Sequence, residues 1–121
     1  MAGMFATPAE EIKGLNKLDT SNVTDMIVMF ATTVINKLDL SNFDTSKVTS
    51  MGYMFYYSTN LKTIYVSDKF NINAVTDSDS MFDNCPNLVG GAGTVYDSTK
   101  IDKTYARIDG GTSSPGYFTR K

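Results

Sequence analysis

Val23-Thr24-Asp25-Met26-Ile27-Val28-Met29-Phe30 and Val48-Thr49-Ser50-Met51-Gly52-Tyr53-Met54-Phe55 are one phrase, Val-Thr-x-Met-x-x-Met-Phe, written twice 25 residues apart. A shorter echo precedes it as Met1-Ala2-Gly3-Met4-Phe5, and a longer one follows as Val75-Thr76-Asp77-Ser78-Asp79-Ser80-Met81-Phe82. The Met-Phe pairs therefore start at 4, 29, 54 and 81, in steps of 25, 25 and 27. A unit of this length is a single supersecondary element that cannot bury its own apolar face, so stacked neighbours must supply a shared core. Function is then expected on a surface and not in a cleft.

Working outward from the second phrase, Ile35-Asn36-Lys37-Leu38-Asp39-Leu40-Ser41-Asn42-Phe43 places apolar residues at its first, fourth, sixth and ninth positions. That spacing resembles the leucine-rich-repeat pattern L-x-x-L-x-L-x-x-N/C, with Phe43 at the last place. The alternation at Leu38, Asp39 and Leu40 predicts a short strand with two side chains inward and one outward. Leu61-Lys62-Thr63-Ile64-Tyr65-Val66 repeats it, so strands of successive units should pair in parallel.

The Met-Phe half of each unit is expected to be a short helix. Thr24, Thr49 and Thr76 are candidate N-caps, Asp79 completes a capping-box spacing with Thr76, and Met51, Met54 and Phe55 share one helical face. A turn then leads to the next strand. Cys85 falls there at the place held by Ser58, Thr33 and Pro8, a position that asks for a small buried side chain.

The periodicity ends after Leu88. Gly90-Gly91-Ala92-Gly93, and later Gly110-Gly111 and Ser114-Pro115-Gly116-Tyr117-Phe118, predict turns around one or two short strands that shield the last apolar face. The fold expected is an α/β repeat solenoid, a leucine-rich-repeat-like stack of short parallel strands and short helices with a period of about 25 residues. The array should cover residues 1–89, its first unit partial, and a C-terminal capping segment should cover 90–121. Met1 aligns with Met26 and Met51, so the chain is expected to be a piece of a longer array.

Composition narrows the function. Eleven basic and 13 acidic residues give a net charge of -2, without a Lys/Arg cluster to follow a phosphate backbone, so no nucleic-acid partner is expected. No apolar run approaches the roughly 20 residues of a membrane helix, and direct membrane insertion is not expected either. The chain contains no histidine, which removes the Ser-His-Asp and Cys-His nucleophile pairings and histidine metal cages. A single cysteine gives neither an internal disulfide nor a multi-cysteine zinc site. The expectation is no enzyme, with no catalytic, cofactor-binding or metal-ligating residues and no cofactor. The methionines at 4, 26, 29, 51, 54 and 81 suit core packing better than a copper(I) thioether ladder. Asp77, Asp79 and Asp83 suit helix capping and solvation better than paired acid-base chemistry or calcium. Gly90-Gly91-Ala92-Gly93 with Asp97 has its aspartate two places late for a calcium-binding nonapeptide, which leaves turn formation.

Leu38-Asp39-Leu40-Ser41-Asn42-Phe43-Asp44-Thr45-Ser46 followed by Val48-Thr49-Ser50-Met51-Gly52-Tyr53-Met54-Phe55 resembles the repeat of BspA-like leucine-rich-repeat surface proteins of bacteria, a group also catalogued as a mycoplasma-type domain of unknown function. The tail from Asp102 to Phe118 is similar to the segment that closes many such arrays. The resemblance implies an extracellular protein on a bacterial cell surface that adheres to a protein or glycan on host or neighbouring cells. It implies no catalytic residues. The binding face expected from the strand register is Lys37, Asp39 and Ser41 in one unit and Thr63, Tyr65 and Ser67 in the next, with Tyr53, Tyr56 and Tyr57 as a second candidate surface. The alternative is a passive spacer or array cap with no ligand of its own.

Overall fold

The computed structural model describes residues 15–121. The first Met-Phe pair, Met4-Phe5, lies outside the described residues.

Strand formation follows the alternation of apolar side chains. In β1 (Lys37–Leu40) Leu38 and Leu40 are buried while Lys37 and Asp39 face outward, and in β2 (Thr63–Val66) Ile64 and Val66 are buried in the same way. The two strands pair in parallel, with Leu38 opposite Ile64 and Leu40 opposite Val66. One residue earlier the ladder runs further: Lys62 N–H donates to Asn36 C=O at 2.8 Å, and Val89 N–H donates to Lys62 C=O at 2.9 Å. A third repeat strand would continue from Val89. Instead the chain turns away at Gly90, whose N–H bonds Thr94 C=O at 2.9 Å. The vacant edge is filled by β3 (Phe118–Arg120) from the chain end, parallel to β2 with Phe118 opposite Ile64. The sheet order is β1-β2-β3.

The segments expected to be short helices are turns, and no α-helix occurs among the described residues. Their N–H groups are used between units and not along a helix. Met26, Val28, Phe30 and Thr32 donate to the carbonyls of Ser50, Gly52, Met54 and Tyr56 at 2.7–3.0 Å. Met51, Tyr53, Phe55 and Tyr57 donate in turn to Asp77, Asp79, Met81 and Asp83 at 2.8–2.9 Å. Intervening N–H groups close tight turns, such as Met54 to Met51 C=O at 3.2 Å and Tyr56 to Tyr53 C=O at 3.1 Å. Aiming alternate amides sideways requires left-handed backbone at recurring places. Val28, Tyr53 and Ser80 have φ of 50, 56 and 53°, and Thr32, Tyr57 and Asn84 have 59, 54 and 59°.

With no helix to cap, the threonines act otherwise. Thr49 Oγ1 donates to Thr24 C=O at 3.1 Å and Thr76 Oγ1 donates to Thr49 C=O at 3.3 Å, linking units. The expected capping box is absent as well: Asp79 accepts from Ser80, while Asp25 and Asp77 accept the amides two residues on, those of Ile27 and Asp79. Short polar side chains here make local turns, their ordinary alternative to helix.

Between strand wall and turn wall lies the core. Phe30, Phe55 and Phe82 stack in one column, with centroids 5.8 and 5.3 Å apart and ring planes 7 and 9° from parallel. Met26, Met29, Met51, Met54 and Met81 are fully buried around it. Two buried polar columns satisfy backbone groups that the turns leave over. Thr20 Oγ1 donates to Asp44 C=O and accepts Asp44 N–H, and Thr45 Oγ1 does the same with Asn71, at 2.7 Å each way. Ser58 Oγ donates to Phe30 C=O, and the Cys85 thiol donates to Phe55 C=O, both at 2.9 Å. Cys85 thus does the work of a serine.

The C-terminal segment closes the last repeat. Phe118 meets Phe55, Phe70 and Phe82 edge-on, and Tyr117 meets Phe82 edge-on at 5.0 Å. Asp109 organises the loops, accepting from the amides of Ala92, Thr94, Gly111 and Gly116 and from Thr94 Oγ1. Gly90 approaches Gly116 and Asp109 so closely that a Cβ there would collide with both.

Candidate functional site

The residues expected to bind fall into one field on the outer side of the strands. Asp39, Tyr65 and Thr119 stand side by side across β1, β2 and β3, with Lys37 beside Thr63 one row earlier. Ser41 and Ser67 follow just beyond the strand ends and are half-buried. Lys37 is exposed, and Asp39, Thr63 and Tyr65 are half-buried. The strand pairing brings all six into one patch.

The last residue changes the chemistry of this patch. Lys121 Nζ pairs with the Asp39 carboxylate and lies 5.8 Å from the centre of the Tyr65 ring. Burial works to raise the Asp39 pKa, but hydrogen bonds from Lys121 and Ser41 outweigh it and hold the carboxyl below its usual range. The field is thus a tyrosine face bordered by a paired carboxylate and an ammonium, suited to hydroxyl and amide partners and to apolar stacking. Lys121 was not among the residues expected here. Its contribution depends on β3 entering beside β2, a pairing that local sequence pattern does not announce.

A second surface lies on the turn wall of the middle repeat. Tyr56 and Tyr57 stack at 4.2 Å, and Tyr53 meets Tyr56 edge-on at 5.3 Å. Tyr53 and Tyr57 remain 38 and 45% exposed. The Tyr56 phenol is held above its ordinary pKa, first by hydrogen bonding with Tyr57 and further by nearby charge, that of Asp83 included.

Beside β3 an open groove of about 370 Å³ runs between Phe70–Asn73 and Ala106–Ile108. Its arginines are already engaged, Arg120 with Asp68 at 2.6 Å and Arg107 Nε with Pro115 C=O at 2.7 Å.

Cys85 belongs to the interior and not to these surfaces. It is fully buried, and burial pushes its thiol up to about 12. Among the described residues no group of three or more Cys, Asp or Glu side chains converges in a way that could hold a metal ion. Among the same residues no helix is long and apolar enough to cross a membrane.

Residues 1–109 match a family described as "Mycoplasma protein of unknown function, DUF285". The match runs past the last Met-Phe repeat into the closing segment and ends at Asp109, the residue that ties its loops together. No curated protein and no solved structure matches the chain.

Proposed function

We propose that this chain, which belongs to the DUF285 family of mycoplasma proteins of unknown function, is a non-enzymatic binding module of a bacterial cell surface. The architecture proposed is a leucine-rich-repeat-like solenoid over residues 1–89, closed by residues 90–121. It is supported by the three repeated ladders of the described part: the strand pairs, the sideways amides of the turns and the buried threonine column. The repeat phrase resembles that of BspA-like leucine-rich-repeat surface proteins, and the extracellular location and the adhesive role are taken from that resemblance. The partner class is a protein or glycan on a host or neighbouring cell.

One observation carries the choice of the strand face. Its outward residues come from three strands distant in sequence and meet in register as Asp39, Tyr65 and Thr119. An aromatic ring framed by hydrogen-bonding groups of both charges is a common composition for a contact surface.

The test is display of the chain on beads, followed by titration with extracellular-matrix proteins and a glycan array. The combined variant Lys37→Ala, Tyr65→Ala and Ser67→Ala should lose at least about tenfold in affinity for whatever the parent binds, with its melting temperature nearly unchanged. Undiminished binding by that variant would remove the strand face. The spacer role would take its place if neither chain bound any of these partners.

A further inference from the structure

The first and third turn walls carry acidic side chains of their own and the middle one carries no charge, while Lys103 reaches in from the closing segment to donate from Nζ to Val75 C=O at 2.7 Å. Residues 23–34, 48–60 and 74–87 contain Asp25, Asp77, Asp79 and Asp83 and no lysine or arginine, although the chain has 11 basic residues. Among the described residues the two ion pairs are made by Asp39 and Asp68, so no lysine or arginine there pairs with Asp79 or Asp83.

The tyrosines sit in the middle of this wall and do not belong to the repeat. At the position of Tyr53 the flanking units have Val28 and Ser80; at Tyr56 they have Ala31 and Asp83; at Tyr57 they have Thr32 and Asn84. Val28, Tyr53 and Ser80 share one positive-φ position and Thr32, Tyr57 and Asn84 another, so the backbone does not demand aromatic residues there. Interior packing does not demand them either, since Tyr53 and Tyr57 are exposed. Backbone ladders fix the neighbours: Tyr53 N–H bonds Asp79 C=O at 2.8 Å, and Tyr57 N–H bonds Asp83 C=O at 2.9 Å. A stacked pair of phenol rings with a third ring edge-on is thereby held against the backbone of Asp79 and Asp83, which make no ion pair among the described residues.

We propose that this tyrosine and aspartate wall docks an arginine-bearing basic segment of a partner protein. The π-face of tyrosine attracts a cation, and a planar guanidinium stacks on it while its N–H fork bonds a carboxylate. A lysine ammonium offers the charge without the plane. The face is separate from the strand field around Tyr65, and its occupancy does not depend on that field binding anything.

The experiment uses the full chain and a fluorescently labelled oligo-arginine peptide, followed by anisotropy, with oligo-lysine and oligo-glutamate for comparison. The variant Tyr53→Ser, Tyr56→Ala and Tyr57→Asn takes side chains that equivalent units already carry, so the fold should be retained; circular dichroism and a melting curve check this. Oligo-arginine should bind saturably and more tightly than oligo-lysine, and oligo-glutamate should not bind. The triple variant should lose about tenfold or more, Asp79→Asn with Asp83→Asn should lose severalfold, and added salt should weaken binding. Tyr65→Ala should leave all of these values unchanged, which separates this face from the strand field. The proposal is overturned if oligo-arginine fails to bind the parent chain or binds a folded triple variant equally well. It is also overturned if the tyrosines instead govern glycan binding or self-association in sedimentation, which would assign the wall to a sugar or to a second copy.

Discussion

The ring of Phe55 lies 5.3 Å from that of Phe82 with the two planes 9° apart, and both side chains are fully buried. Phe30 continues the stack on the other side of Phe55. Phe55 is therefore the member whose removal leaves a hole bounded by aromatic rings on both sides, which the neighbouring backbone ladders keep from collapsing. Phe55→Ala should destabilise the chain by about 3–5 kcal/mol, read from urea denaturation. A loss below about 1 kcal/mol would mean that the column is not a packed core.

The column is legible in the sequence because inward-facing residues leave a periodic trace. The strands were legible for the same reason: Leu38 and Leu40, or Ile64 and Val66, alternate with polar residues, and burial on one face dictates that pattern. The turn walls look helical in sequence because Met51, Met54 and Phe55 at i, i+3 and i+4 state which side chains point inward and say nothing about which group takes each amide. A helix and a pair of turns bury the same three residues. The six strand-face residues were legible from alternation, but Lys121 and Asp109 were not, since both act through contacts far along the chain.

The buried thiol has a chemical consequence. Cys85 donates to the Phe55 carbonyl, and its raised pKa leaves almost no thiolate at neutral pH. Thiol reagents should label the native chain far more slowly than the urea-unfolded chain. Because Ser58 makes the equivalent bond, Cys85→Ser should fold with a cost of about 1 kcal/mol or less, whereas Cys85→Val should cost more by leaving the Phe55 carbonyl without that donor. Rapid labelling under native conditions would contradict the buried placement.

Acid should loosen the closing segment through Asp109. Partial burial works to raise its pKa, but the amides of Thr94, Gly111 and Ala92 and the Thr94 hydroxyl outweigh that and hold it at about 2. A carboxyl whose folded pKa lies below its unfolded value binds protons more readily in the unfolded chain. Its stabilisation is therefore complete above the unfolded value of 3.8 and is lost as pH falls from there through about 2. Stability measured from pH 5 to pH 2 should fall less steeply in Asp109→Asn than in the parent, and the variant should be less stable at neutral pH. Parallel pH profiles for the two chains would show that Asp109 does not contribute in this way.

Left-handed backbone at Thr32 costs free energy that a better residue can recover. Thr32 is exposed, β-branched and at φ 59°, and its equivalent Asn84 has the same φ. Asparagine tolerates this region far better than a β-branched residue. Thr32→Asn should raise the stability of the chain by roughly 0.5–1 kcal/mol, seen as a higher melting temperature. A drop of that size would mean that the hydroxyl contact to the Ala31 carbonyl outweighs the backbone relief.

Loss of β3 should be more disruptive than loss of any single core ring. Phe118 occupies the place beside Ile64 that a further repeat strand would take, and it packs against Phe55, Phe70 and Phe82. Deleting residues 118–121 removes this wedge and opens the β2 edge, which then presents unpaired amides next to exposed apolar side chains. Such an edge invites pairing with another chain. The shortened protein should therefore unfold at lower urea than Phe55→Ala and self-associate in sedimentation. Phe118→Ala in the full-length chain keeps the strand backbone, so it should lose stability while remaining monomeric. If the shortened chain stayed monomeric and as stable as the parent, β3 would be an ornament and the core would close without it.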